Sequence, residues 1–169
     1  MGNKKTLIVS AFSCCGKTTA AQTLGDKYDI VDLDSSSYSW VDAAHTVRNP
    51  FFPSNYIGAI KELIGQKDFV FVSSHQEVRD ELNANNIPFV IVYPANTPVN
   101  KGIWRERLIG RGSPDSLVDK IMYKWDEMLE SMELEEKAIH YVLGDSCVSD
   151  KNSMAIDSTA LEHILNALK

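Results

Sequence analysis

The chain has 169 residues, 44% of them hydrophobic and 24% charged, and a net charge of -6. That length suits one domain with a sizeable core. The acidic balance argues against a nucleic-acid polymer or an anionic membrane as partner, and no apolar run approaches the length that spans a bilayer.

The N-terminal residues Met1-Gly2-Asn3-Lys4-Lys5 carry no signal-peptide pattern and lead into the apolar run Leu7-Ile8-Val9, which reads as a strand. Ser10-Ala11-Phe12-Ser13-Cys14-Cys15-Gly16-Lys17-Thr18-Thr19 follows, and Ala20-Ala21-Gln22-Thr23-Leu24 opens a helical pattern. Strand, tight loop and helix are the context of a phosphate-binding loop. Its backbone N–H groups converge on a phosphate, and the helix N-terminus adds a positive dipole end. Ser13, Cys14, Cys15, Gly16, Lys17, Thr18 and Thr19 are therefore the expected ATP-binding set. In this scheme Lys17 reaches the β- and γ-phosphates and Thr18 holds Mg²⁺. The match to GxxxxGK[ST] is incomplete, because Ala11 stands at the first glycine; alanine fits there if φ is negative.

Cysteines 14, 15 and 147 make neither a disulfide framework nor a metal-ligand spacing, so a reduced, cytoplasmic protein is expected. A thiol pair at a helix N-terminus predicts lowered pKa values and sensitivity to oxidation.

Asp29-Ile30-Val31-Asp32-Leu33-Asp34 reads as a second strand. Asp32 and Asp34 share one face, and charge at a strand's carboxyl end belongs where open α/β sheets bind ligands. Asp32 is an expected metal ligand beside Thr18, and Asp34 an expected general base and substrate contact. Ser35 to Ser54 is polar, aromatic and irregular, with Tyr38, Trp40, His45, Arg48, Phe51 and Phe52 between prolines. Its aromatics suit either a base to stack on or a lid over the core. Tyr56, Ile57, Ile60, Leu63 and Ile64 have helical spacing, which Gly65 stops.

Asp68 to Val72 is a continuous apolar run typical of a buried parallel strand. Ser74-His75-Gln76-Glu77 has the form of a capping box for a helix that Asn85-Asn86 ends. Pro88 to Pro94 is the next buried strand. From Val99 a helix carries Ile103, Trp104, Leu108 and Ile109, with Arg107 and Arg111 four apart on one face. Gly110-Arg111-Gly112 interrupts it, and Ser113 with Pro114 is the expected N-cap and first turn of the next helix. Leu117, Val118, Ile121, Met122, Trp125, Met128, Leu129 and Met132 form a core stripe, followed by a solvated acidic end, Glu133 to Glu136. His140-Tyr141-Val142-Leu143 and Met154-Ala155-Ile156 compete for a last strand, and Asp157 is the expected cap of the final helix.

These features resemble the small P-loop kinases, the superfamily of nucleoside monophosphate kinases and their relatives. The similar stretches are Gly16-Lys17-Thr18, Asp32-Leu33-Asp34 and Arg105-Glu106-Arg107-Leu108-Ile109-Gly110-Arg111-Gly112, the last being similar to an arginine-bearing lid. The resemblance implies a single-domain, three-layer α/β/α P-loop NTPase fold with a five-stranded parallel sheet. Residues 1–98 and 114–169 would form the core and 99–114 a short mobile lid over ATP. The sequence departs from the pattern at Ala11 and at Ser73-Ser74-His75, where an acidic Walker B residue would end the third strand. The break between the lid helices is too short for an inserted or zinc-binding lid domain.

Phosphoryl transfer needs donors on the phosphates, a metal, and cations at the transferring group. Lys17 and Thr18 answer the first two needs. Arg107 and Arg111 are expected to clamp transition-state charge, although salt bridging along the helix would produce the same spacing. The five arginines are at 48, 79, 105, 107 and 111. Arg48 and Arg79 suit a phosphorylated acceptor, and Tyr38, Trp40 and Phe51 a stacked base. The expected activity is ATP- and Mg²⁺-dependent phosphorylation of a nucleotide or nucleoside by a monomer or homodimer. The alternatives are a small-metabolite kinase of the shikimate or gluconate type, and a nucleotide-binding regulatory protein without turnover.

Overall fold

A computed structural model describes residues 4–42, 44–143 and 158–167. Five strands form one parallel sheet: β1 (Leu7–Ala11), β2 (Ile30–Asp32), β3 (Phe69–Ser73), β4 (Phe89–Pro94) and β5 (Ile139–Leu143). Their order is β2-β3-β1-β4-β5. The chain builds one side of β1 first and then the other, so the carboxyl edge beside β1 is the topological switch point where such sheets bind ligands. The apolar runs explain this placement. Every residue of β1 and β4, and all of β3 but Ser73, is buried, as strands covered on both faces require.

The helices are α1 (Lys17–Leu24), α2 (Ser36–Ser39), α3 (Ser54–Leu63), α4 (Gln76–Ala84), α5 (Pro98–Gly110), α6 (Asp115–Tyr123), α7 (Trp125–Glu133) and α8 (Ser158–Ala167). They complete the three-layer α/β/α arrangement. α1 packs on α8, α3 on α4, and α7 on β4. No described helix is long and apolar enough to cross a membrane.

Local details depart from expectation in four places. The capping box does not form: α4 begins at Gln76, and the Ser73 hydroxyl accepts the His75 N–H instead. Ser113 does not cap α6, whose N-cap is Pro114; its hydroxyl accepts a hydrogen bond from Arg111. The expected core stripe is carried by two helices that meet at Lys124, with φ -94° and ψ 8°. Trp125, Leu129 and Met132 are buried on the second of them, so a bend displaces the stripe without breaking it. The irregular stretch after Ser35 contains α2 and an antiparallel bridge between Trp40 and Arg48. His140 to Leu143 lies in β5; Cys147, Met154-Ala155-Ile156 and Asp157 fall outside the described residues.

Candidate active site

β1 delivers Ala11 to the carboxyl edge of the sheet, and the Phe12 N–H donates to the Val92 carbonyl of β4 at 2.9 Å. Ala11 does not lie at positive φ, so it occupies the first-glycine position without strain. The turn that follows does use left-handed backbone. Gly16 has φ 85°, as its residue type permits, and Cys14 has φ 61° at a cost of about 1 kcal/mol. Gly16 then caps α1, its carbonyl accepting from the Ala20 N–H.

α5 holds this loop from outside. Thr97 caps the helix by accepting the Asn100 N–H, and Pro98 starts it. One turn further, fully buried Trp104 donates its indole N–H to the Ser13 carbonyl at 2.8 Å. Arg107 lies over the Trp104 ring at 4.5 Å and donates to the Cys14 carbonyl at 3.0 Å. In a trans peptide the C=O and the following N–H point opposite ways. Both contacts therefore turn the amides of Cys14 and Cys15 away from α5. Arg111 is one turn beyond, its Nε bonded to the Ser113 hydroxyl at 3.0 Å.

A cavity of about 800 Å³ opens at this edge, within the range of small-ligand sites. The loop from Ser13 to Thr19 lines one wall, with Asp32, Asp34 and Ser35 beside it. Lys17 Nζ lies 3.4 Å from an Asp32 carboxylate oxygen. The Asp34 carboxylate accepts the Ser36 N–H at 2.9 Å, closing an Asx turn. Arg107 and Arg111 also reach the cavity. Its remaining wall is mixed: Ser73, Ser74, His75 and Gln76 follow the end of β3, and Lys124, Glu127 and Ser131 stand with Met128 and Met132 at the α6–α7 junction and along α7. Sequence reasoning missed this wall. Neither glycine nor proline marks the Lys124 bend, and the apolar stripe continues through it.

Other expected site residues lie elsewhere. Arg79 is buried with only 3% exposure and does not line the cavity. Its guanidinium is taken up by the Ser74 and Ser131 carbonyls, the Ser131 hydroxyl and the Glu135 carboxylate, the last at 2.8 Å. It ties α4 to the end of α7. Tyr38 packs its ring against Tyr56, Trp40 stacks on His45, and Arg48 covers Trp40 and Phe52 while pairing with Glu77 at 3.4 Å. None of these three lines the cavity. They build an aromatic cluster beside it. The thiols also differ from expectation. Burial raises the Cys14 pKa, outweighing the pull of Arg111 and Arg107, and pushes that of fully buried Cys15 far up. The positive helix end does not compensate for lost hydration. Within the expected lid, Trp104 and Leu108 are fully buried, so α5 is anchored in the core.

Among the described residues, no cluster of three His, Cys, Asp or Glu side chains is placed to hold a metal. Thr18 and Asp32 both line the cavity. That sparse oxygen donor set fits Mg²⁺, which keeps several waters and takes its other ligands from phosphate.

The fold and the loop at the sheet edge define a P-loop NTPase fold. A gluconokinase from Sinorhizobium meliloti 1021 shares it, with a TM-score of 0.55 and 14% identity over 100% of this chain and 99% of that one. At this identity the likeness is one of fold. No family model and no curated protein sequence matches the chain.

Proposed function

We propose that the chain is a single-domain, ATP- and Mg²⁺-dependent kinase for a hydroxyl of a small polar metabolite. The observation that carries this reading is the cavity itself. It joins a phosphate loop, two carboxylates and two arginines to a wall of serine, histidine and glutamine side chains. The loop amides and Lys17 would hold the triphosphate, and Thr18 and Asp32 would hold Mg²⁺, which neutralises phosphate charge when bound. Asp34 would take the acceptor's hydroxyl proton as its oxygen bonds to the γ-phosphorus and the bridge to ADP breaks. Arg107 and Arg111 would stabilise the transferring group.

The fold shared with a gluconokinase supports a polyhydroxylated acid as acceptor. The polar side chains of the opposite wall agree with it, because hydroxyl and amide groups exchange hydrogen bonds with several substrate hydroxyls, and Lys124 offers a cation to a carboxylate. A nucleoside or nucleotide acceptor has less support, since Tyr38, Trp40, Arg48 and Arg79 are engaged elsewhere. The end of β3 at Ser73-Ser74-His75, without an acid, is the observation that favours ATP binding without turnover. Calorimetric titration with MgATP, followed by single-turnover assay with labelled ATP and candidate acceptors, separates the readings. Binding with transfer to a hydroxy acid supports the kinase; binding without transfer to any acceptor supports the regulatory protein.

A further inference from the structure

The β2–β3 ladder ends at the pair Asp32 and Phe71, followed by one more backbone bond, from the Leu33 N–H to the Phe71 carbonyl at 2.9 Å. Beyond that bond, a buried side chain links the Leu33 carbonyl to the Ser73 N–H. The Tyr56 hydroxyl, on α3, donates to the Leu33 carbonyl at 2.5 Å and accepts the Ser73 N–H at 3.1 Å. Tyr56 is fully buried, and both partners are backbone groups that no neighbouring strand satisfies by ladder pairing at that point. The Leu33 carbonyl belongs to the same rigid peptide as the Asp34 N–H. Holding that oxygen fixes the plane from which Asp34 departs, and the Asx turn to Ser36 fixes the carboxylate. Tyr38 and Phe52 pack their rings on Tyr56, so the aromatic loop leans on the same residue.

We propose that Tyr56 is a positioning residue, whose hydroxyl aims the Asp34 carboxylate into the cavity by holding the Leu33–Asp34 peptide against the end of β3. Its effect on turnover rests on the kinase reading; its effect on Asp34 does not.

The test compares Tyr56→Phe with Ile60→Val, which trims a fully buried side chain on the same helix that can hydrogen-bond to neither strand end. In NMR spectra with ¹³C-labelled aspartate, Tyr56→Phe shifts the Asp34 carboxyl and Ser36 amide resonances, and Ile60→Val leaves them in place. Unmoved resonances, or equal shifts in both variants, overturn the proposal. In the kinase assay Tyr56→Phe lowers kcat about tenfold with the KM for ATP unchanged, and adds nothing on an Asp34→Asn background, because both changes act through one group. Multiplicative losses overturn it too. The wild-type protein gives a check that needs no variant: a slowly exchanging phenolic proton near the Asp34 amide. Its absence contradicts the hydrogen bond. If no acceptor is phosphorylated, the kinase reading fails while the resonance comparison still decides the role of Tyr56.

Discussion

Lys17 and Arg79 are both cations near the carboxyl edge of the sheet, yet their surroundings give them opposite roles. Lys17 is 29% exposed and its pair with Asp32 at 3.4 Å is open to solvent, so the pair adds at most about 1 kcal/mol to stability. Lys17→Ala should therefore leave the melting temperature nearly unchanged while lowering turnover by about two orders of magnitude or more, the scale of a lost electrostatic contact. Wild-type turnover in this variant removes the phosphate role. Arg79 is enclosed with Glu135, and Arg79→Ala strands a buried carboxylate. Unfolding in urea should show a loss of about 3 kcal/mol or more, with KM for the acceptor unchanged in the folded protein. A KM increase without loss of stability would return Arg79 to the substrate. Both residues look alike in sequence, a cation next to a strand end. Only the burial of α4 against α7 separates them, and that contact joins residues 52 and 56 positions apart. The thiols depart from expectation for a related reason: the helix dipole is visible in the sequence, but the desolvation opposing it is not. Since burial raises the Cys14 pKa, alkylation at neutral pH should be slower than for a free cysteine and keep accelerating beyond the ordinary thiol range. A rate that levels off below that range contradicts the assignment.

At the scale of the element, α5 shows what periodicity can and cannot reveal. Its buried Trp104 and Leu108 and the shared face of Arg107 and Arg111 follow from residue spacing, whereas the cap at Thr97 and the start at Pro98 lie just ahead of the Val99 start that the spacing gives. That the same helix grips the phosphate loop through two backbone carbonyls does not follow from spacing, because those contacts bridge more than ninety residues. The grip separates the two arginines. Arg107 bonds to the loop itself, so Arg107→Ala should weaken ATP binding as well as kcat. Arg111 bonds to Ser113 beyond the helix, so Arg111→Ala should lower kcat by about a hundredfold and leave ATP affinity close to normal. Titration calorimetry beside steady-state kinetics distinguishes them. Equal effects of the two substitutions on ATP affinity would contradict the division. The bend at Lys124 and the failed cap at Ser74 mark the opposite limit. Tertiary packing sets both, and local chemistry does not announce it.

For the whole molecule, the fold was legible because its determinants are redundant. Continuous apolar runs between helical segments imply parallel strands, right-handed crossovers restrict their arrangement, and the phosphate loop identifies the working edge. The wall of the cavity formed by the loop from Ser13 to Thr19 is local in sequence and legible there. The opposite wall is assembled from the end of β3, the start of α4, the α6–α7 junction and α7, and no single segment carries its pattern. That division explains why the aromatics after Ser35 suggest a stacked base while the assembled wall carries serine, histidine and glutamine side chains beside two methionines. The most direct measurement is ADP release from MgATP, with polyhydroxylated acids in one series and nucleosides with their monophosphates in the other. The account predicts acceptor-dependent release in the first series, abolished in Lys17→Ala. Release confined to the second series, or none in either by a protein that binds ATP, would contradict it.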